Sequence, residues 1–266
     1  MVLTKSVRAL ILGDLVGQAG CRALFLALPG LIKKYSADLV VVNGENAAGG
    51  FGLTPDIAQR LFSTGVHVIT SGNHIWQQKD ILPLLDSQDR LLRPHNYPRG
   101  VPGHGFCCVE LRGIKTAVIN LEGRVRMNNL ACPFTCAKDL LRRLRQQTRI
   151  IFVDFHAEEP EEKEALGLYL DGEVSAVFGT HTHVATADER ILPGGTAYIT
   201  DIGMCGPADS VIGFPPEPAV QRVLTQIPIK SEALDAPALI CGIVVEVDAE
   251  SGKALSIERI AAQSLV

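Results

Sequence analysis

Apolar residues occur along the chain in short continuous runs, separated by segments in which apolar positions have helical spacing. A continuous apolar run is typical of a strand that is buried on both faces. In the first part of the chain these runs alternate with helical segments, which predicts parallel βαβ units. Thr54 and Pro55 supply an N-cap and a first helical position, and Gly65 supplies a stop. The predicted strands are Val7–Leu12, Asp38–Val42 and Val66–Thr70, and the predicted helices are 20–35, 54–64 and 77–85.

The rest of the chain adds pairs of strands, which indicate a second sheet that is antiparallel or mixed. Between them, the stretch 203–218 is rich in Gly and Pro and is predicted to be a loop. No low-complexity linker divides the chain, so we predict a single domain spanning 1–266. The predicted fold is α/β, with two mixed sheets packed as a sandwich and flanked by helices. The later strands are Phe106–Leu111, Lys115–Leu121, Arg149–Phe155, 174–178, Thr196–Thr200, Leu239–Val247 and Leu255–Ile260, with helices at 135–147, 160–170 and 217–225.

Composition and charge narrow the class of protein. Of the 266 residues, 47% are hydrophobic and 20% are charged, which is the balance of a globular chain with a substantial core. The net charge of −4 offers no general attraction for nucleic acid or for an anionic membrane, so neither is an expected partner. The apolar run 9–12 is too short for a signal peptide, and the seven cysteines lack paired CxxC spacing. We therefore expect a cytoplasmic protein with reduced cysteines, for which self-association is reasonable.

Polar side chains fall at or just after the ends of five predicted strands. Each has an ordinary explanation, because Asp and Asn often close turns and a single His is often a packed residue. Their joint occurrence is harder to assign to accident, because ligands of open α/β sheets bind outside the carboxyl ends of the strands. We therefore expect these side chains to meet at one edge of the sheet. They are Asp14, Glu45 with Asn46, Asn73 with His74, His156, and the pair His181 and His183.

The chemistry of these donors indicates a metal site. If the segment after Phe178 is extended, His181 and His183 point the same way and present two imidazoles to one spot. Carboxylates, imidazoles and amide oxygens without thiolate suit Mn²⁺, Fe or Zn²⁺. The donors are too many for one ion, whereas two ions that share a carboxylate would use them. Two metals about 3.5–4 Å apart can clamp the attacking and leaving oxygens of a phosphoryl displacement.

The same residues carry a resemblance to a known family. In order along the chain, the motifs resemble those of calcineurin-like metallophosphoesterases, and more narrowly those of the bacterial 2′,3′-cyclic-nucleotide phosphodiesterase-like branch. The resemblance runs nearly end to end and implies a helix-flanked β-sandwich, in agreement with the pattern of strands. The motifs are Gly13-Asp14, Gly44-Glu45-Asn46, Gly72-Asn73-His74, Asp154-Phe155-His156-Ala157-Glu158, Gly179-Thr180-His181-Thr182-His183-Val184 and Thr200-Asp201-Ile202-Gly203-Met204.

This chain departs from the wider superfamily in its first two motifs. Val16 stands where that superfamily carries a histidine, and Glu45 stands where it carries a bridging aspartate. The narrow branch resembles this chain in both changes, and Asn46 would take the place of the missing histidine.

The resemblance also implies roles for the site residues. It places Asp14, Asn46 and His183 on one divalent ion, Asn73, His156 and His181 on the other, and Glu45 between the two. The ions would be Mn or Fe, with Zn as an alternative, and would bring the pKa of water towards neutrality to supply a hydroxide nucleophile. His74 would lie near the leaving group as the catalytic proton donor.

The implied function is a binuclear-metal phosphodiesterase that acts on small cyclic nucleotides such as 2′,3′-cyclic AMP. A phosphomonoesterase or nuclease of the same superfamily would use the same ions, although no basic stripe supports a nuclease. The third alternative is a non-catalytic metal-binding regulator, which would have no need of His74 beside a full set of ligands. The loops 93–98 and 203–213 are candidates for the pocket rim or are structural loops. Trp76 could stack on a base, although helix packing is the preferred interpretation.

Overall fold

The computed structural model describes residues 5–264, and its strands form two mixed sheets. The strands are β1 (Ser6–Leu12), β2 (Asp14–Leu15), β3 (Leu39–Asn43), β4 (Val68–Thr70), β5 (Phe106–Leu111), β6 (Ile114–Glu122), β7 (Ile150–His156), β8 (Ala176–Thr180), β9 (Arg190–Ile191), β10 (Ala197–Ile199), β11 (Met204–Pro207), β12 (Ala238–Asp248) and β13 (Ala254–Gln263). The helices are α1 (Gly17–Tyr35), α2 (Pro55–Thr64), α3 (Leu82–Ser87), α4 (Pro133–Leu144), α5 (Pro160–Tyr169) and α6 (Pro216–Thr225), with a 3₁₀ turn at Lys79–Ile81.

The first sheet has the strand order β2-β11-β12-β1-β3-β4, with β13 beside β12. Its strands β1, β3 and β4 are parallel, and β12 runs antiparallel to β1. The second sheet has the order β5-β6-β7-β8-β10-β9, in which the four central strands are parallel and the two edge strands are antiparallel.

Residues alternate between two hydrophobic cores along each central strand, as the two-residue period of a strand requires. Ala9 and Ile11 of β1 pack with Phe152 of β7 in a core between the two sheets. The intervening residues, Leu10 and Leu12, pack outward against helices α1 and α2. On the second sheet the outward residues pack against α4 and α5. The layers are therefore helix, sheet, sheet and helix, which confirms the predicted sandwich of two mixed sheets.

Local sequence signals account for several element ends. The Thr54 hydroxyl accepts a hydrogen bond from the amide of Ile57 at 3.4 Å, and Gly65 ends α2 with a φ of 113°. Arg112 and Gly113 both have positive φ, as a two-residue hairpin between β5 and β6 requires. The predicted helix 77–85 is divided into the 3₁₀ turn and α3, because Pro83 begins a new helical turn.

Two predictions about the second half of the chain were wrong. The stretch 203–218 is not loop throughout, because it contains β11, which pairs with both β2 and β12. The prediction failed because the sequence of β11, Met-Cys-Gly-Pro, has neither alternating apolar residues nor strand formers. The strand predicted at 174–178 lies at β8, two residues later, and the backbone beyond it is not extended. His181 and His183 have φ values of 100° and 65°, so the same-side geometry predicted for an extended strand does not apply.

All seven cysteines are free, as expected from their spacing. Within residues 5–264, no helix combines the length and apolar character needed to cross a membrane.

Candidate metal centre

The predicted donors come together at the carboxyl ends of strands from both sheets. From the first sheet, Asp14 follows β1, Glu45 and Asn46 follow β3, and Asn73 and His74 follow β4. From the second sheet, His156 ends β7, and His181 and His183 follow β8. The prediction that the donors meet at one edge of one sheet was therefore wrong in this respect. The site lies where the edges of two packed sheets meet.

Three donors surround one nitrogen of His156. Its Nε2 lies 2.9 Å from Glu45 Oε1, 3.1 Å from Asn73 Oδ1 and 3.0 Å from His181 Nδ1. All three neighbours accept hydrogen bonds when unprotonated, whereas one N–H can satisfy only one of them well. A cation at the centre of this group would satisfy all four atoms, so these residues fit a divalent metal ion.

A second, looser group surrounds Asp14. Its Oδ2 accepts a hydrogen bond from the His181 backbone amide at 3.0 Å, while Oδ1 is buried and has no hydrogen-bond partner within residues 5–264. That free oxygen lies 3.9 Å from His183 Nε2. A buried carboxylate oxygen without a partner is costly, so Asp14 and His183 also fit a cation.

Glu45 lies between the two groups. Its Oε1 is 2.9 Å from His156 Nε2 and 3.3 Å from the Asn46 side-chain nitrogen, so one carboxylate contacts residues assigned to both ions. The Asn46 amide directs Nδ2 towards His183 Nε2 at 3.0 Å and Oδ1 towards His74 Nδ1 at 2.8 Å. Ligation through Oδ1 therefore requires this amide to rotate.

Each of the three imidazoles has its other ring nitrogen held from outside the centre. His156 Nδ1 lies 2.9 Å from the Thr180 hydroxyl, His181 Nε2 lies 3.2 Å from Glu158 Oε2, and His183 Nδ1 lies 2.8 Å from the Ile212 carbonyl. Such partners fix the ring orientation and the tautomer of metal-ligating histidines. The inward nitrogens are thus His156 Nε2, His181 Nδ1 and His183 Nε2.

Electrostatics also favour positive charge at the centre. Burial raises the pKa of Glu45, but interactions with His156 and His74 outweigh it and hold the pKa at about 2. Burial lowers the pKa of His156, but the Glu45 and Asp14 carboxyls raise it to about 9. Burial and the charge of His156 lower the pKa of His181 to about 3. The carboxyls thus favour one positive charge on His156 beside Glu45, and a bound cation would replace that proton, because a ligating imidazole is neutral.

Gly72 leaves the space that brings the donors together. A Cβ at this position would overlap His156 Nε2 and Glu45 Oε2. No side chain fits there without displacing Glu45 or His156, which accounts for the glycine before Asn73.

Above the metal centre lies a cleft of about 1120 Å³. Its floor includes Glu45, His74, His181 and His183, so the donors face a space that can hold a small molecule.

Comparisons with known proteins identify the family of this chain. Residues 10–260 match the family described as YmdB-like protein. The chain is 45% identical over 254 residues to the 2′,3′-cyclic-nucleotide 2′-phosphodiesterase of Bacillus subtilis (strain 168), a match that covers 96% of each protein. The chain belongs to the YmdB-like protein family.

Two solved structures extend this YmdB-like match to the fold. A structure titled as a novel phosphatase from Mycoplasma pneumoniae is 37% identical with a TM-score of 0.93, covering 98% of this chain and 95% of that one. A hypothetical protein from Thermus thermophilus is 39% identical with a TM-score of 0.90, covering 97% of this chain and all of that one. The predicted resemblance to calcineurin-like phosphoesterases is confirmed, and so is the predicted class, a phosphoesterase.

A buried ion pair that was not predicted from the sequence of this YmdB-like chain supports the histidine loop, residues 181–183. Lys163 Nζ lies 2.7 Å from Asp201 Oδ2, and both residues are almost fully buried. The same carboxylate oxygen accepts hydrogen bonds from the Thr182 hydroxyl at 2.8 Å and the Thr182 amide at 3.3 Å. Asp201 thereby fixes the residue between His181 and His183. Asp201 belongs to the motif at 200–204, which pointed to this residue in the sequence but did not indicate its role.

Asp154 was also missed as a support of His156. Its carboxylate accepts hydrogen bonds from Thr180 at 2.7 Å and from Asn43 at 3.2 Å, and Thr180 in turn contacts His156 Nδ1. Burial raises the pKa of Asp154 to about 7. This fully buried network links β3, β7 and β8 beneath the metal centre, and so ties the two sheets together at the site.

The two loops proposed for the pocket rim have different positions. Ile212, from the stretch 203–213, and the neighbouring Phe214 line the main cleft with His183. Tyr97 and Pro98, from the stretch 93–98, instead line a neighbouring hollow with Asn73 and Trp76.

Proposed function

We propose that this YmdB-like protein is a two-metal phosphodiesterase that hydrolyses 2′,3′-cyclic nucleotides such as 2′,3′-cyclic AMP. The observation that carries the proposal is the convergence of oxygen and nitrogen donors, with Glu45 between two groups and a buried Asp14 oxygen that has no partner. The activity in the name of the Bacillus subtilis relative supports the choice of substrate.

Two sets of residues would hold the ions. Asn73, His156 and His181 form one set, Asp14, Asn46 and His183 form the other, and Glu45 contacts both. When bound, Mn or Fe ions, with Zn as an alternative, lower the pKa of water and stabilise charge on phosphoryl oxygens. Asn46 joins its set after its amide rotates.

His74 is the proton donor in this proposal. Its backbone amide donates to Glu45 Oε2 at 3.0 Å, and its Nδ1 lies 2.8 Å from Asn46 Oδ1. These contacts orient the ring, and Nε2 has no hydrogen-bond partner among residues 5–264. His74 lines the cleft. After the proposed rotation of the Asn46 amide, Nδ2 would donate to His74 Nδ1, so that Nε2 carries the proton of the ring and can transfer it to a departing ribose oxygen.

The floor of the cleft orients the phosphodiester. Glu45 lines this floor together with His181 and His183, and Glu45 and the nearby Asp14 are both buried. A cleft of this volume can hold a small nucleotide, and the net charge of −4 gives no general attraction for a long nucleic acid.

The test is hydrolysis of 2′,3′-cyclic AMP by the purified protein loaded with Mn²⁺, with the products separated by chromatography. We expect a nucleoside 3′-phosphate, because the relative is named a 2′-phosphodiesterase. Chelation should abolish turnover, and added Mn²⁺ should restore it. A folded, metal-loaded protein that leaves the cyclic diester intact would overturn the proposal.

A further inference from the structure

Phe51 is an exposed aromatic residue inside the cleft. Its side chain retains 42% of its accessible surface and lines the same cleft as Glu45, His74 and His183. The other phenylalanine of the cleft, Phe214, is only 9% exposed. A large apolar ring left open beside a polar centre is a feature of ligand sites, in which apolar walls surround a few polar groups.

The backbone around Phe51 holds the ring in this exposed position. The loop closes on itself through hydrogen bonds from Ala48 N to Gly52 O at 2.9 Å and from Phe51 N to Ala48 O at 3.1 Å. Gln78 donates to the Phe51 carbonyl at 3.0 Å. Gly50 has a φ of 99°, and a Cβ there would lie 3.2 Å from the Phe214 ring. The exposure of Phe51 is thus built into an ordered loop.

Phe51 lies one side chain away from the metal centre. Its ring centroid is 5.1 Å from that of His74, at an interplanar angle of 71°, and His74 contacts Asn46 at 2.8 Å. The Phe214 ring supports Phe51 from another side, with centroids 5.5 Å apart. In a cyclic nucleotide the phosphate and the base share one ribose. When the phosphate lies at the metal centre, the base must lie about one side chain away from that centre. Phe51 occupies such a position, beside His74.

We propose that Phe51 is the stacking platform for the nucleobase, an inference that rests on the proposed function. Stacking on an aromatic ring contributes to binding without reading hydrogen-bond donors, because every base has a π-face. The platform therefore discriminates nucleotides from phosphodiesters that lack a base. The platform accepts purines and pyrimidines, and it increases the affinity for purines more, because purines offer more stacking area.

Trp76 is the competing aromatic residue, and its surroundings differ. It packs edge-to-face against Tyr97, with centroids 5.4 Å apart, and against the hydrophobic core beneath the first sheet. Its hollow meets the metal centre only through Asn73. Trp76 lies in a turn before the 3₁₀ segment and not in a helix, so the predicted helix packing is replaced by packing against Tyr97 and the core.

The experiment compares Phe51→Leu with wild type on two Mn²⁺-dependent substrates, 2′,3′-cyclic AMP and glycerol 1,2-cyclic phosphate, which has the same cyclic diester without a base. We expect KM for 2′,3′-cyclic AMP to rise by about 5- to 100-fold, with kcat changed less, and KM for the glycerol diester to change less than about twofold. Phe51→Trp should preserve the wild-type KM. Tyr169→Ala is the matched control, because Tyr169 is 44% exposed but does not line the cleft.

Calorimetry separates failure of the platform from failure of the proposed function. Adenosine 3′-monophosphate and inorganic phosphate are titrated into Mn²⁺-loaded wild type and Phe51→Leu. Selective weakening of the nucleotide supports the platform even if no diester is hydrolysed. Active wild type with equal losses on both substrates, or no loss on either, overturns it. A base-dependent loss in Trp76→Leu alone also overturns it and places the base in the neighbouring hollow.

Discussion

The two sheets supply different kinds of side chain to the proposed metal centre. Every carboxylate and amide assigned to the ions follows a strand of the first sheet, at Asp14, Glu45, Asn46 and Asn73. Every imidazole assigned to them follows the second sheet, at His156, His181 and His183. Neither side contributes both kinds of donor to the residues assigned to the ions. The contacts of Glu45 Oε1 with His156 Nε2 at 2.9 Å and of Asp14 Oδ2 with the His181 amide at 3.0 Å cross from one side to the other.

This division links stability to function. The imidazole side is held by buried partners such as Thr180, whereas the oxygen side keeps a buried oxygen at Asp14 without a partner. Metal ions would join the two sides and relieve that cost. A substitution among the oxygen donors or among the supports of the imidazoles should therefore change both metal binding and stability, and both can be measured.

The largest expected loss of activity follows replacement of Glu45, which contacts residues assigned to both ions. Glu45→Gln keeps the shape of the side chain but removes its charge, and we expect kcat/KM for 2′,3′-cyclic AMP to fall by at least about 10³-fold. Circular dichroism should show an unchanged fold. Glu158→Gln is the comparison variant, because it removes the same charge from a partly exposed residue that contacts the outer nitrogen of His181. We expect that variant to weaken Mn²⁺ binding by about 10- to 100-fold but to be active at saturating Mn²⁺, whereas Glu45→Gln stays inactive there. Equal activity in Glu45→Gln and wild type would disprove the joining role of Glu45.

The next effect concerns the support of the imidazole side. Lys163→Met leaves the buried Asp201 carboxylate unpaired, and we expect the free energy of unfolding to fall by about 3–5 kcal/mol in urea titrations. Arg142→Met is the matched control, because the Arg142–Asp139 pair on α4 is exposed at 3.0 Å, and its loss should cost less than about 0.5 kcal/mol. Equal costs for the two pairs would mean that the Lys163–Asp201 pair does not stabilise the histidine loop.

A smaller loss of activity is expected when His74, which follows a strand of the first sheet and lines the cleft, is replaced. His74→Ala should lower kcat by about 10²-fold while metal content, measured by mass spectrometry, stays at the wild-type value. His67→Ala serves as a control, since the His67 ring accepts a hydrogen bond from Val40 within the first sheet and lies outside the cleft. Loss of metal in His74→Ala would make His74 a ligand.

The sequence was sufficient to predict that these side chains meet at strand ends, but not to assign the strands to sheets. Strand ends can be located from short apolar runs, and the donors lie directly after them. Which strands share a sheet depends on long-range pairing, and β11 could not be predicted because Met204–Pro207 pairs without any local strand signal. Lys163 lies in an acidic helix that resembles a solvent-exposed face, so its burial against Asp201 depends on packing. The positive φ of His181 and His183 likewise depends on the loop that Asp201 holds.

The most direct test is anomalous diffraction from crystals grown with saturating Mn²⁺. We predict two manganese peaks in each chain, one beside Asn73, His156 and His181, and the other beside Asp14 and His183, with Glu45 contacting both. We also expect the Asn46 amide to turn Oδ1 from His74 towards the second peak. A single peak, or a second peak that contacts neither Asp14 nor His183, would contradict a two-metal centre shared between the sheets.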